Sequence, residues 1–161
     1  MHFKNGKYSG ETKNGLPDGE GKYDNGSGHT YTGRWFDGQF IGQGTISTKT
    51  GLQWKGDFKY NSLNGFGEYC DREGNLYVGN FLDGVFHGPG YYKGNNGSWK
   101  TGNFRNGKLH GLGEQVKDGF YYKGQFVKGK KNGVGYMIEI SQNGLRGLFF
   151  DGKFIGVAPG K

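Results

Sequence analysis

The stretch YVGNFLDGVFHGPGYY, Tyr77 to Tyr92, interleaves glycine with Tyr and Phe. Its order resolves into three pieces. Tyr77, Gly79 and Phe81 fall at every second position, which is the period of a β-strand. Asp83-Gly84 follows. A tight hairpin turn needs positive φ at its central residues, and Asp-Gly supplies it. Gly88, Gly90 and Tyr92 then recur at every second position on a returning strand. The stretch reads as one β-hairpin whose inward face is made of rings and glycines.

The same order recurs along the chain. Tyr8-Ser-Gly10, Tyr31-Thr-Gly33, Trp54-Lys-Gly56, Tyr77-Val-Gly79 and Lys100-Thr-Gly102 open segments 23 residues apart. Tyr122-Lys-Gly124 comes one residue early, after 22, and Leu145-Arg-Gly147 follows 23 later. The units run near 8–30, 31–53, 54–76, 77–99, 100–121 and 122–144, with a partial unit over 145–158 that lacks its second strand. Together they make one repeat array over 1–161. Each first strand ends on an aromatic (Trp35, Phe58, Phe81, Phe104, Phe126, Phe149), with Thr12 the exception. The skipped residues are mostly polar, so one face is aromatic and the other wet.

Turns follow at Asn14-Gly15, Asp37-Gly38, Asp83-Gly84, Asn106-Gly107, Lys128-Gly129 and Asp151-Gly152. The third unit has Tyr60-Asn61, and Asn is the best non-glycine residue for a left-handed backbone. Returning strands carry Gly-x-Gly followed by a large residue, as in Gly19/Gly21/Tyr23 and Gly65/Gly67/Tyr69. Strict alternation puts both glycines and the third residue on the aromatic face. Glycine within a strand marks close approach, so rings are expected to lie over glycine backbones. The predicted fold is all-β: an elongated, twisted, single-layer antiparallel sheet of tandem hairpins, each touching mainly its neighbours.

The pattern Tyr-x-Gly-x-Phe/Trp-x-x-Gly-x-x-x-Gly-x-Gly resembles the MORN repeat (membrane occupation and recognition nexus) over about residues 8–156. Lys100 departs from it where Tyr is usual, and Ala158 stands where the last glycine would be. The resemblance implies a twisted all-β sheet with an aromatic-lined groove. It also implies a non-catalytic array that docks proteins, oligomerises or binds anionic phospholipid, in cytoskeletal, ciliary and junctional scaffolds or beside enzyme domains.

Composition agrees with a folded, aromatic-rich chain. Of 161 residues, 36 are Gly and only 3 are Pro, while 17% are aromatic. Disordered chains are poor in aromatics. The net charge of +7 lies wholly in the second half. Cys70 is the only cysteine, which excludes an intrachain disulfide and favours a reducing compartment. No apolar run approaches the ~20 residues of a membrane-spanning helix. The N-terminus has no signal-peptide core. The expectation is a cytoplasmic protein, free or bound to cytoskeleton or membrane.

No catalytic, metal or cofactor site is predicted. His87 and His110 share a column two strands apart, roughly 9.6 Å at a strand spacing of ~4.8 Å. That is too far for one zinc held at ~2 Å by each. Gly88-x-Gly90 resembles part of a nucleotide loop, but no helix follows. Three sets of residues are candidates for binding instead. The aromatic face (Tyr31, Trp35, Trp54, Phe58, Tyr77, Phe81, Phe104, Tyr122, Phe126) is mainly core, and is the candidate groove for an elongated protein partner. An apolar stripe on the reverse face (Phe66, Pro89, Leu112, Val134) is a candidate seam for a partner or a second copy. Lys100, Arg105, Lys108, Lys123, Lys128, Lys130 and Lys131 form a candidate patch for an anionic partner, lipid above all. No nucleic-acid motif accompanies that charge. Three functions stay open: protein-docking scaffold, peripheral membrane tether, and accessory subunit of an enzyme complex.

Overall fold

The computed structural model describes residues 6–140 and 145–157. It is all-β, and among these residues there is no helix. Two compact bodies meet in sequence between Val85 and Phe86. The first holds β1 (Lys7–Lys13), β2 (Leu16–Asp24), β3 (His29–Phe36), β4 (Gln39–Thr48), β5 (Gln53–Lys59), β6 (Ser62–Cys70) and β7 (Leu76–Leu82). The second holds β8 (Val85–Lys93) from its second residue on, β9 (Trp99–Arg105), β10 (Lys108–Lys117), β11 (Phe120–Val127), β12 (Lys130–Glu139), β13 (Leu145–Phe150) and β14 (Lys153–Val157). Within each body every strand pairs antiparallel with its neighbours in chain order.

The hairpin turns form where expected. Asn14 and Gly15 have φ of 50° and 78°, and the Asp37, Asp83, Asn106, Lys128 and Asp151 turns match them. Positive φ at both central residues is the two-residue turn whose twist suits flanking strands. In the third unit Tyr60 and Asn61 take φ of 49° and 67°. The Asn61 carboxamide oxygen also accepts the Phe40 N–H at 2.8 Å. The 22-residue spacing has a local cause: Asp118-Gly119, φ 52° and 80°, joins β10 to β11 with two residues.

Tyr8 and Tyr122 lie over the glycine two residues on, Gly10 and Gly124. Tyr8, Tyr77 and Tyr122 each donate a hydrogen bond to the carbonyl three residues ahead, on Glu11, Asn80 and Gln125 (2.8, 3.0 and 3.2 Å). The Tyr-x-Gly spacing follows from this geometry. A Cβ at Gly21 would fall inside the Tyr8 ring, and one at Gly135 inside the Tyr122 ring.

The returning strand differs from strict alternation. Gly33 pairs with Gly44 and Arg34 with Ile41, so Gly42 and Gln43 are two extra residues on β4. The β2, β6, β10 and β12 strands show the same excess against their preceding partners. Where a ring covers a glycine of the pair, as at Gly21, Gly44, Gly113 and Gly135, it is the second one. A Cβ at Gly19 would meet Glu11, and one at Gly133 would meet Gln125, both residues of the wet face. The first glycine is thus a bulge residue, as its φ of 61° at Gly42 requires.

Ahead of the bulge lies a column that alternation alone left unmarked. Phe40, Leu63 and Leu109 are among the most buried side chains (0, 2 and 1% exposed). Pro17, Phe86, Lys131 and Phe154 occupy the same place in their own units. The carbonyl of each column residue accepts an N–H from the next unit's turn. Gly38 bonds to Pro17, Asn61 to Phe40, Gly84 to Leu63, Gly107 to Phe86, Gly129 to Leu109 and Gly152 to Lys131, at 2.8–3.0 Å. The seventh unit does have a second strand: Phe149 pairs with Phe154 and Phe150 with Lys153. The Asp151-Gly152 turn returns the chain, and five residues suffice. Ala158 lies outside the described residues.

Candidate functional site: the ring face and its clefts

Most of the predicted groove is core. Trp35, Phe58, Tyr77, Phe81, Phe104, Tyr122 and Phe126 are buried and present almost no surface. They pack on one another edge-to-face or tilted, as Trp35 on Phe40 (5.2 Å), Phe40 on Phe58 (4.6 Å) and Tyr122 on Phe126 (5.2 Å). Such offset geometry suits the ring quadrupole. Burial pushes the Tyr77 phenol up to about 12 and raises that of Tyr122.

Tyr31 and Trp54 differ, since both remain partly exposed. They line a cleft of ≈ 400 Å³ in the first body, together with Ile46, Leu52, Phe58, Leu63, His29 and Asn61 among others. No Lys, Arg, Asp or Glu lines it. Ile46 is the large residue after Gly42-x-Gly44 in its unit, whereas Leu52 belongs to none of the repeat's fixed positions and was left unmarked.

The reverse-face residues are open to solvent: Phe66 is 56% exposed, Leu112 71% and Val134 48%, and Pro89 is exposed too. Each is the residue between the bulge glycine and its partner glycine. The register sets Phe66 opposite Asn80, Pro89 opposite Asn103, and Leu112 opposite Gln125. Polar residues therefore stand opposite the first three, while Val134 pairs with Leu148. The second body adds rings to this face that the sequence pattern left unmarked: Tyr91 lies 6.3 Å from Trp99, and Trp99 6.2 Å from Tyr121.

The seven basic residues separate into three settings. Arg105, Lys108 and Lys128 share an open cleft at the hairpin-turn edge with Asn106 and His110. Lys123 and Lys130 are paired, with Glu114 at 3.0 Å and Asp151 at 2.6 Å. The Lys123 hydrogen bond lowers the Glu114 carboxyl below its usual range. Such exposed pairs contribute about 0–1 kcal/mol.

Lys100 and Lys131 sit on the ring face. The Lys100 ammonium lies 4.7 Å from the Tyr92 ring centroid and 5.8 Å from that of Phe104. Burial, and then the charge of Lys117, lowers its pKa. Lys131 lies over Tyr122 and Phe149, and burial and Lys117 lower it too, against a smaller opposing pull from Asp118. Among the described residues no three His, Cys, Asp or Glu are grouped to hold a metal ion, and no helix is long and apolar enough to cross a membrane.

Tandem hairpins with a one-sided core of rings over glycines define a β-hairpin repeat protein. The model of the MORN repeat matches six segments: residues 8–30, 31–53, 54–76, 77–99, 101–118 and 122–138. The chain belongs to the MORN-repeat family. The fifth match begins just past Lys100, the position where the leading aromatic is replaced. Comparison with curated proteins found no match.

Proposed function

We propose that the protein is a non-catalytic docking array, working within a larger cytoplasmic assembly of cytoskeletal or ciliary kind. A partner polypeptide seats apolar side chains in the cleft beside Tyr31 and Trp54. The supporting observation is the partial exposure of these two rings over a cleft without Lys, Arg, Asp or Glu, while their counterparts Tyr77 and Tyr122 are buried. Partly exposed aromatics on a rigid floor make strong anchors, because their burial is gained at binding with little loss of rotamer freedom. An enzyme subunit is one class of partner such a cleft accommodates.

A photo-crosslinking side chain at position 52, in the cleft, tests this against the same group at position 22 on the reverse face. Adducts at 52 alone, lost with Trp54→Ala at unchanged melting temperature, are expected. Equal adducts at both positions, or adducts that survive Trp54→Ala, would overturn it.

A second reading is contact with an anionic membrane. It is favoured by Arg105, Lys108 and Lys128 gathered at one edge with no carboxylate among the lining residues. Vesicle flotation tests it: loss of binding at high salt and with Lys108→Gln is expected, and binding indifferent to both would remove it.

A further inference from the structure

Lys100 stands where Tyr31, Trp54, Tyr77 and Tyr122 stand in their units. It opens on a cleft of ≈ 290 Å³ on the second body, lined among others by Tyr92, Ser98, Trp99, Gln115 and Lys117. No carboxylate is among the lining residues. Lys117, beside Lys100, has Asp118 at 3.9 Å, and both of those side chains are well exposed.

We propose that this cleft recognises a carboxylate: an Asp or Glu side chain of an acidic polypeptide segment laid along the ring face. The inference rests on the reading of that face as a docking surface. A half-buried ammonium has given up hydration, and ring faces return part of it. An entering carboxylate returns more, as a charge-assisted hydrogen bond in a place of reduced dielectric. Lys117 adds a second positive charge at the rim. Ser98 and Gln115 offer hydrogen bonds to the segment's backbone, and Tyr92 packs against the methylenes of a Glu.

The chemistry favours a carboxylate on a peptide over phosphate or a bilayer. No guanidinium lines the cleft, and bidentate recognition of phosphate is arginine chemistry. Lys100 is recessed between rings, whereas a flat anionic surface engages raised cations such as those of the turn edge.

The test follows the isotope-labelled dimethyl signals of the lysines during titration. The probes are the blocked pentapeptide Ala-Glu-Phe-Glu-Ala, its Gln counterpart, inorganic phosphate, and phosphatidylserine vesicles. The Glu peptide is expected to move the Lys100 and Lys117 signals, with the Gln peptide at least about tenfold weaker. Lys100→Met should abolish the response at unchanged melting temperature. Lys117→Gln should weaken it, and Trp54→Ala in the other body should leave it intact. Equal response to both peptides, no response, or equal movement by phosphate or vesicles would overturn the proposal. Failure here with crosslinking at position 52 preserved would leave the docking reading standing.

Discussion

Lys131 holds its ammonium 4.9 Å from the centroid of the Tyr122 ring, in the strand position that Phe40, Leu63 and Leu109 fill with apolar side chains. A charge thus occupies a core column. Burial lowers its pKa, so the folded state disfavours the charged form. The sign of the linkage follows: stability is reduced below the folded pKa and recovers as pH rises through it toward the ordinary lysine value. Lys131→Leu should stabilise by about 1 kcal/mol at neutral pH, apolar burial outweighing the lost ring contact. Denaturant melts across the alkaline range should show a smaller recovery in the variant than in the parent, Lys100 keeping its own share.

Tyr77 tests the opposite sign. Its phenol is pushed up to about 12 from an ordinary 10.0. Between those values the unfolded chain releases its proton first, so stability falls as pH rises from about 10 to 12 and is unaffected at neutral pH. Tyr77→Phe should cost about 1 kcal/mol at neutral pH, through the lost bond to the Asn80 carbonyl. It should also flatten the alkaline decline, as pH-resolved melts will read.

Phe40 and Phe66 separate core from surface. Phe40→Ala should destabilise by about 3–5 kcal/mol, since its side chain is 0% exposed. Phe66→Ala, on the bulge, should change stability by about 0.5 kcal/mol or less. Equal costs in urea melts would refute the assignment of the two columns.

The two glycines of the returning strand should respond differently. Gly135→Ala drives a methyl into the Tyr122 ring and should cost about 1–3 kcal/mol. Gly111→Asn meets open space at a φ of 82° that Asn tolerates, and should cost no more than about 1 kcal/mol.

Asn61 serves its turn twice. Asn61→Gly keeps the backbone conformation and loses the acceptor for the Phe40 N–H, a cost of about 1 kcal/mol. Asn61→Ala also strains a φ of 67° and should cost about 2 kcal/mol. Thermal melts of the pair separate the two contributions.

The turns, strand order and glycine-over-ring packing were legible because each needs a particular residue type at a fixed spacing. Asn14-Gly15 and Tyr8-x-Gly10 have few alternatives. The bulge was not legible. Two extra residues preserve the even count, so Phe40, Gly42 and Gly44 look like plain alternation. The swing of Gly42 out of that row is a matter of φ. Exposure within the ring row was hidden for a related reason. Trp54 and Tyr77 hold the same place in the repeat, and what uncovers one and covers the other comes from neighbouring strands. The setting of Lys100 shows as a departure from the repeat, whereas Lys117 and Tyr92 beside it carry no such mark.

The main-chain bond from each turn to the column residue of the preceding unit, Gly38 to Pro17 through Gly152 to Lys131, has a consequence for ancestry. It is a clasp made without side chains, so sequence drift leaves it fastened. A tandem duplication of one whole unit arrives carrying both halves of the clasp, a donor for the hairpin behind it and an acceptor for the one ahead. Length is then inherited almost freely, while a copy out of frame by a few residues brings a hook without its eye. Such a chain grows by whole hairpins, and novelty such as Lys100 enters afterwards, one copy at a time.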